Sequence, residues 1–224
     1  MEVEPRVLEI VDWGTVAYPE AWARQLALVD ERLNGAAPDR LVFAEHPPVV
    51  TYGRSAAGRD LPVPEEKLRE QGIAVVRTDR GGLATYHGPG QMVAYPVLEI
   101  RGRDIIGHVR RLLETVADVL LEVGLQPELR QRTPGVWVRG AKIASVGIAV
   151  RKSVSYHGVA LNVNTDLWPF SLIVPCGNPA ETMTSLEREL GRPVTPDEAK
   201  TLFLARFKVR FGYGRVGRQT GNLG

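Results

Sequence analysis

The chain has 224 residues, with 28 lysines and arginines against 26 acidic residues, a net charge of +2, 44% hydrophobic residues and 24% charged ones. That size bounds it to one domain or a domain with a small appendage, and the composition excludes a disordered or fibrous protein. The mild charge balance does not mark a nucleic-acid binder, and a single cysteine rules out an internal disulfide.

Val7–Val11 reads as a first strand. Pro19 then opens a helix at a position where a missing N–H is harmless, and Trp22, Leu26, Val29 and Leu33 place one apolar stripe along it. Asn34-Gly35 ends that helix. Leu41–Ala44 and Val49–Tyr52 are predicted strands on either side of His46-Pro47-Pro48. A short helix over Pro64–Gln71 and a strand over Ile73–Arg77 follow. Asp79–Gln91 reads as a glycine-rich loop and Met92–Ile100 as a strand. Asp104 can cap a long helix carrying Ile105, Val109, Leu112, Val116, Leu120 and Val123, closed by Gly124.

Val136–Val138, Ile143–Val150 and Val154–Val163 are predicted strands, the last two forming a hairpin. Asn164–Pro179 reads as a long loop holding Cys176. Thr184 is expected to cap a short helix through Leu190, and Thr195-Pro196 to open a final helix with Leu202, Phe203 and Phe207 on one side. Strands in runs between a few helices indicate α+β architecture, a mixed sheet flanked by helices. Residues 1–212 are read as one catalytic domain and 213–224, polar and glycine-rich, as a flexible C-terminal tail. Met1–Pro5 carries no basic, apolar signal segment, and no apolar run approaches the ~20 residues of a membrane span. The expected location is cytoplasmic, with no membrane and no nucleic-acid partner.

The arginines cluster at Arg101, Arg103, Arg110 and Arg111, at Arg130, Arg132 and Arg139, and at Arg151 with Lys152. They read either as a solvated surface or as a docking face for acidic proteins. The densest candidate site is Arg80-Gly81-Gly82-Leu83-Ala84-Thr85-Tyr86-His87-Gly88-Pro89-Gly90-Gln91. Its glycines let the backbone approach a ligand closely, and Arg80, Thr85, His87 and Gln91 can converge beside it. It matches neither a dinucleotide fingerprint nor a P-loop.

Cys176 stands in a loop punctuated by prolines and Gly177. The alternative for a lone cysteine is a small buried hydrophobe. As a nucleophile it would act as thiolate, with Lys142, His87 and His157 as candidate bases, among which spacing does not choose. Lys142 opens an apolar strand, where a lysine ordinarily snorkels to the surface, and His157 could be structural. Four histidines and one cysteine show no zinc-ligand spacing, so no metal is expected.

His46-Pro47-Pro48, the Arg80–Gln91 run, Pro134-Gly135-Val136-Trp137-Val138, Lys142-Ile143-Ala144, His157-Gly158, Ala160-Leu161-Asn162-Val163 and Pro175-Cys176-Gly177 occur in that order. Through these motifs, from about Glu45 to Leu190, the chain resembles the lipoate-protein ligase B family, the lipoyl(octanoyl) transferases. It departs from the family pattern in Asn178–Met183.

The resemblance implies the catalytic-domain fold of biotin and lipoate protein ligases and a Cys176/Lys142 dyad. It implies an acyl pocket at Arg80, Gly81, Gly82, Leu83, Ala84, Thr85, Tyr86 and His87, at Ser145, Val146 and Gly147, and at Gly158, Val159 and Ala160, with His157 and Gln91 in support. The implied reaction moves octanoyl from acyl carrier protein to a lysine of lipoyl domains, those of 2-oxoacid dehydrogenases and the glycine cleavage H protein, through an acyl-Cys176 thioester. No cofactor is implied, and a monomer is expected. Backbone N–H groups of the glycine-rich loop or Gly147 are candidates for an oxyanion site. The alternatives are an ATP-dependent lipoate or biotin ligase, a non-catalytic acyl-protein binding module, and a cysteine hydrolase.

Overall fold

The structure, a computed structural model, describes residues 7–35, 37–56, 62–131, 133–174 and 180–221. The elements are β1 (Val7–Thr15), α1 (Tyr18–Leu33), β2 (Asp39–Glu45), β3 (Val49–Tyr52), α2 (Glu65–Glu70), β4 (Ala74–Arg77), β5 (Ala84–His87), β6 (Gln91–Val97) and α3 (Ile105–Glu122). They continue with β7 (Glu128–Leu129), β8 (Gly135–Val138), β9 (Ala141–Arg151), β10 (Val154–Asn162), α4 (Leu186–Leu190), α5 (Pro196–Phe211) and β11 (Arg215–Gly221). Eight strands form a mixed sheet in the order β11-β1-β2-β6-β10-β9-β8-β7, and β4-β3-β5 form a small second sheet.

Both faces of the large sheet are apolar, so both must be covered. On one face α3 and α5 bury Leu112, Val116, Leu120, Phe203 and Phe207 against Leu41, Met92, Ile143 and Leu161. On the other, α1 buries Ala21, Leu28 and Val29 against Val42, Val93, Val97 and Ala149. The small sheet has its own core of Val50, Ile73, Tyr86 and Phe170. The turn Gly88–Gly90 carries the chain from β5 in the small sheet directly into β6 of the large one.

Helices α3 and α5 start where a side chain satisfies one of their first N–H groups. The Asp104 carboxylate accepts from the Gly107 N–H at 2.8 Å, and the Thr195 hydroxyl accepts from the Glu198 N–H at 3.2 Å. α5 ends at Gly212 with φ of 70°, a conformation glycine adopts without strain.

Four expectations need correction. Within the expected loop Asp79–Gln91, Ala84–His87 form β5, paired antiparallel with β3 through Val50↔Tyr86. Flanking glycines hide so short a strand from any alternation pattern. The short helix α4 is capped by Ser185, whose hydroxyl accepts from the Arg188 N–H, while Thr184 donates its hydroxyl to Glu189. The stretch Asn164–Pro179 contains a 3₁₀ turn over Trp168–Leu172. Finally, the stretch read as a tail contains a strand: Arg215–Gly221 run parallel to β1, from Val7↔Arg215 to Asp12↔Gly221. Without them β1 would be an open edge, and unpaired strand N–H and C=O groups attract any chain in reach. No helix among the described residues is long and apolar enough to cross a membrane.

Phe207 is fully buried and stacks on Phe211 at 4.3 Å between ring centroids, with Phe203 and Tyr213 at 5.9 and 6.1 Å. Its loss leaves a ring-sized hole under the large sheet. Phe207→Ala is therefore expected to lower unfolding free energy by about 3–5 kcal/mol. Urea unfolding checks this, and a loss under about 1 kcal/mol would place the core elsewhere.

Candidate active site

Between the large sheet and the loops of the small one lies a cavity of about 330 Å³. It is walled by Arg80–Thr85 and His87 from the glycine-rich segment, by Ser145–Gly147 of β9 and by Gly158–Ala160 of β10, together with His157. Of the expected pocket residues only Tyr86 does not line the cavity; its ring lies in the core of the small sheet and meets Phe170 edge-on at 5.4 Å. The cavity exists because the glycine-rich segment docks on β9. The Gly81 N–H donates to the Ile148 carbonyl at 2.8 Å, and a Cβ on Gly147 would fall 2.9 Å from the Gly81 carbonyl oxygen. That bond also commits the Gly81 N–H, so it is not available to an oxyanion.

Arg80 holds the segment in shape and is nearly buried, with 7% of its surface exposed. Its Nη2 donates to the Thr51 carbonyl and the Leu83 carbonyl, both at 2.7 Å, and to Thr51 Oγ1 at 2.9 Å. Nε donates to Thr51 Oγ1 at 3.2 Å and Nη1 to the Gly81 carbonyl at 3.1 Å. A guanidinium out of water requires acceptors in its plane, and the loop curls around it to supply them.

The three histidines near the cavity are neutral, each with a fixed tautomer. His46 Nδ1 faces the Val16 carbonyl at 2.7 Å and so donates, leaving Nε2 to accept from the Tyr95 hydroxyl at 2.6 Å. His87 Nδ1 donates to Gln91 Oε1 at 2.7 Å. His157 Nε2 donates to Asp79 Oδ1 at 2.8 Å, and its Nδ1 accepts from the Tyr18 hydroxyl at 3.2 Å. Burial pushes His46 and His157 down to about 4, the latter despite Asp79, and His87 well below the ordinary histidine value. The His157–Asp79 contact is thus a neutral imidazole donating to a carboxylate. Burial alone would raise Asp79, but hydrogen bonds from His157 and Tyr156 hold its carboxyl below the usual range. Burial likewise pushes Tyr18 up to about 12, keeping it a hydroxyl donor.

Lys142 is no snorkelling surface residue. It is fully buried at the start of β9, and its Nζ stands 5.1 Å from the Trp137 ring centroid. Gly135 makes the space for it: a Cβ there would lie 2.4 Å from Lys142 Cε and 3.0 Å from Nζ. The backbone on either side is tied down. The Lys142 N–H donates to the Thr182 carbonyl at 2.8 Å, and the Thr184 N–H donates to the Lys142 carbonyl at 2.9 Å. Lys142 itself does not line the cavity, but Thr133 and Pro134, next to Gly135, do. Cys176 lies outside the described residues; Thr182, six residues beyond it in sequence, accepts from the Lys142 N–H.

Gln91 stands behind His87 rather than in the wall, and its Nε2 donates to Asn162 Oδ1 at 2.9 Å. The sequence reading missed Tyr18, Ser55, Val93, Tyr95, Thr133 and Pro134 as lining residues. Val93 and Tyr95 alternate along β6 and share the inner face, a signal that was available. Tyr18 comes from the first turn of α1, and nothing local announces that. Among the described residues no group of histidine, cysteine and carboxylates could hold a metal ion. Most of the clustered arginines are matched within the chain: Arg110 to Glu114, Arg111 to Asp104, Arg130 to Glu128 and Glu181, Arg139 to Glu189 and Arg151 to Asp30.

Comparison with known proteins places this geometry among relatives. The lipoyl protein ligase A/B catalytic domain model matches residues 17–208. The chain is 46% identical to an octanoyltransferase of Rubrobacter xylanophilus over 183 residues, 81% of this chain and 83% of that protein. It is 42% identical to an octanoyltransferase of Desulfotalea psychrophila, over 91% of this chain and 93% of the relative. In fold it is similar to a bipartite lipoate protein ligase of Thermoplasma acidophilum, with a TM-score of 0.73 and 21% identity over 99% of this chain and 88% of that one. The biotin protein ligase of Aquifex aeolicus matches with a TM-score of 0.54 and 13% identity over 92% and 69% of the two chains.

Since the buried histidines bind protons less readily folded than unfolded, stability from them is complete above the free value of about 6.5 and declines as pH falls toward 4. Long-range ¹H–¹⁵N spectra should show His46 with its proton on Nδ1 and His157 with its proton on Nε2 at pH 5.5. An imidazolium signal for either at that pH would contradict the assigned hydrogen bonds.

Proposed function

Because the chain belongs to the lipoyl protein ligase A/B catalytic domain family, we propose that it is an octanoyltransferase working through a thioester on Cys176 with Lys142 as the proton carrier. The observation that carries the reading is an acyl-sized cavity whose Thr133–Pro134 end adjoins the fully buried Lys142. The octanoyl donor is acyl carrier protein, and the acceptor is a lysine of a lipoyl domain. Both meet the enzyme as a monomer in the cytoplasm. Buried methylenes contribute about 0.8 kcal/mol each, enough for the cavity to hold the chain while its carbonyl waits at the nucleophile.

In the first half-reaction the Lys142 amine takes the thiol proton of Cys176, and the sulfur attacks the donor's thioester carbonyl. The tetrahedral intermediate expels the carrier thiolate, which receives the proton from Lys142. In the second, the neutral amine of the acceptor lysine attacks the acyl-Cys176 carbonyl. Its surplus proton passes by way of Lys142 to the departing Cys176 sulfur, and an amide remains. The donor thioester is already activated, so no step consumes ATP. The neutrality and fixed tautomers of His46, His87 and His157 support Lys142 over a histidine as proton carrier.

Intact-protein mass spectrometry tests this directly. Mixed with octanoyl-acyl carrier protein and no ATP, the wild type should gain one octanoyl group, which a lipoyl domain then removes. Cys176→Ala should gain none, and Lys142→Met should acylate at least about 100-fold more slowly. Transfer by Cys176→Ala at the wild-type rate would exclude the thioester. Activity on free octanoate only with ATP would mark a ligase instead.

A further inference from the structure

The cavity has two ends, and the register of β9 against β10 measures the distance between them. Its lining follows the pairs Ser145↔Ala160, Val146↔Val159 and Gly147↔Gly158, and closes at His157, opposite Ile148. At the other end stand Thr133 and Pro134, whose neighbour Gly135 covers the Lys142 amine. From Ser145 to the level of Ile148 is three residues, about 10 Å at the usual strand rise. That is the order of length of an extended eight-carbon acyl chain.

The far end is closed by a side chain from outside the sheet. Tyr18, in the first turn of α1, lines the cavity and is 3% exposed. Its ring packs against three others: His46 at 5.1 Å, His87 at 5.5 Å and His157 at 6.4 Å between centroids. Its hydroxyl is held by His157, which is held in turn by Asp79. His157 cannot swing aside. Both ring nitrogens are engaged, its N–H donates to Gln25 Oε1 at 2.7 Å, and its backbone sits at a φ of 56° within β10. A wall so braced does not yield to a longer chain.

We propose that Tyr18, backed by the Asp79–His157 pair, is the end stop that sets acyl chain length in this enzyme. The inference rests on the acyl-transfer reading above. Removing the ring extends the cavity past its present end, so chains longer than eight carbons gain contacts there and lose their clash. The residue acts on specificity and not on the reacting atoms, so its signature is a shift in preferred length.

The test measures kcat/KM for carrier proteins bearing six, eight, ten and twelve carbons, with wild type, Tyr18→Ala and Tyr18→Leu. Two additional buried methylenes correspond to roughly a tenfold effect. The ten-to-eight ratio should therefore rise about tenfold or more in Tyr18→Ala, and less in Tyr18→Leu. A wild-type maximum at eight carbons that persists in both folded variants overturns the inference while leaving the transfer reading intact. Should Tyr18→Ala not fold, Tyr18→Leu alone decides on the same ratio. Absence of transfer by the wild type at every length would instead defeat the transfer reading itself.

Discussion

A guanidinium removed from water must find hydrogen-bond acceptors on every side, and the site is organised around meeting that demand for Arg80. Thr51 offers its carbonyl and hydroxyl, and Leu83 and Gly81 offer carbonyls, so the loop has little choice but to curl back over β3. Curled that way, it presents Gly81 to Ile148 and roofs the cavity. Lysine, with a single point of charge and no planar fork, could not gather the same acceptors.

The same constraint extends toward Lys142. Arg80 occupies the acceptor side of the Thr51 hydroxyl, leaving its proton for His87 Nε2 at 3.4 Å. His87 then donates to Gln91, Gln91 to Asn162, and Asn162 to the Thr184 carbonyl. Thr184 donates in turn to the Lys142 carbonyl. Every member is buried, and from the Thr51 hydroxyl to Asn162 the bonds point the same way, a setting in which they reinforce one another; at Thr184 the series passes to the backbone, whose carbonyl and N–H belong to successive peptide groups. The glycine-rich roof of the cavity, carried by the small sheet, and the backbone of Lys142 in the large one are thereby joined by hydrogen bonds.

Much of this was legible in the chain. The apolar stripes of α1 and α3, the β9–β10 hairpin and the concentration of chemistry in Arg80–Gln91 all follow from spacing, glycine content and polar side chains. What was not legible is what depends on distant partners. The sequence makes Lys142 a surface residue by default, because only the glycine at 135, across the β8–β9 pair, opens room for its side chain. Tyr18 looks like an ordinary first-turn aromatic until α1 docks on the sheet. Arg215–Gly221 read as a tail because their pairing partner, β1, lies some two hundred residues away. The glycine-rich segment hid β5 for the opposite reason: its own composition masked a strand that β3 specifies.

The measurement that tests this account most directly is hydrogen exchange in Arg80→Lys, read at the amides of Gly81, Lys142 and Thr184. If the polar series from Arg80 to Thr184 couples the cavity roof to the Lys142 strand, all three amides lose protection together. Faster exchange at Gly81 with Lys142 and Thr184 unchanged would show two independent structures, and would contradict the account.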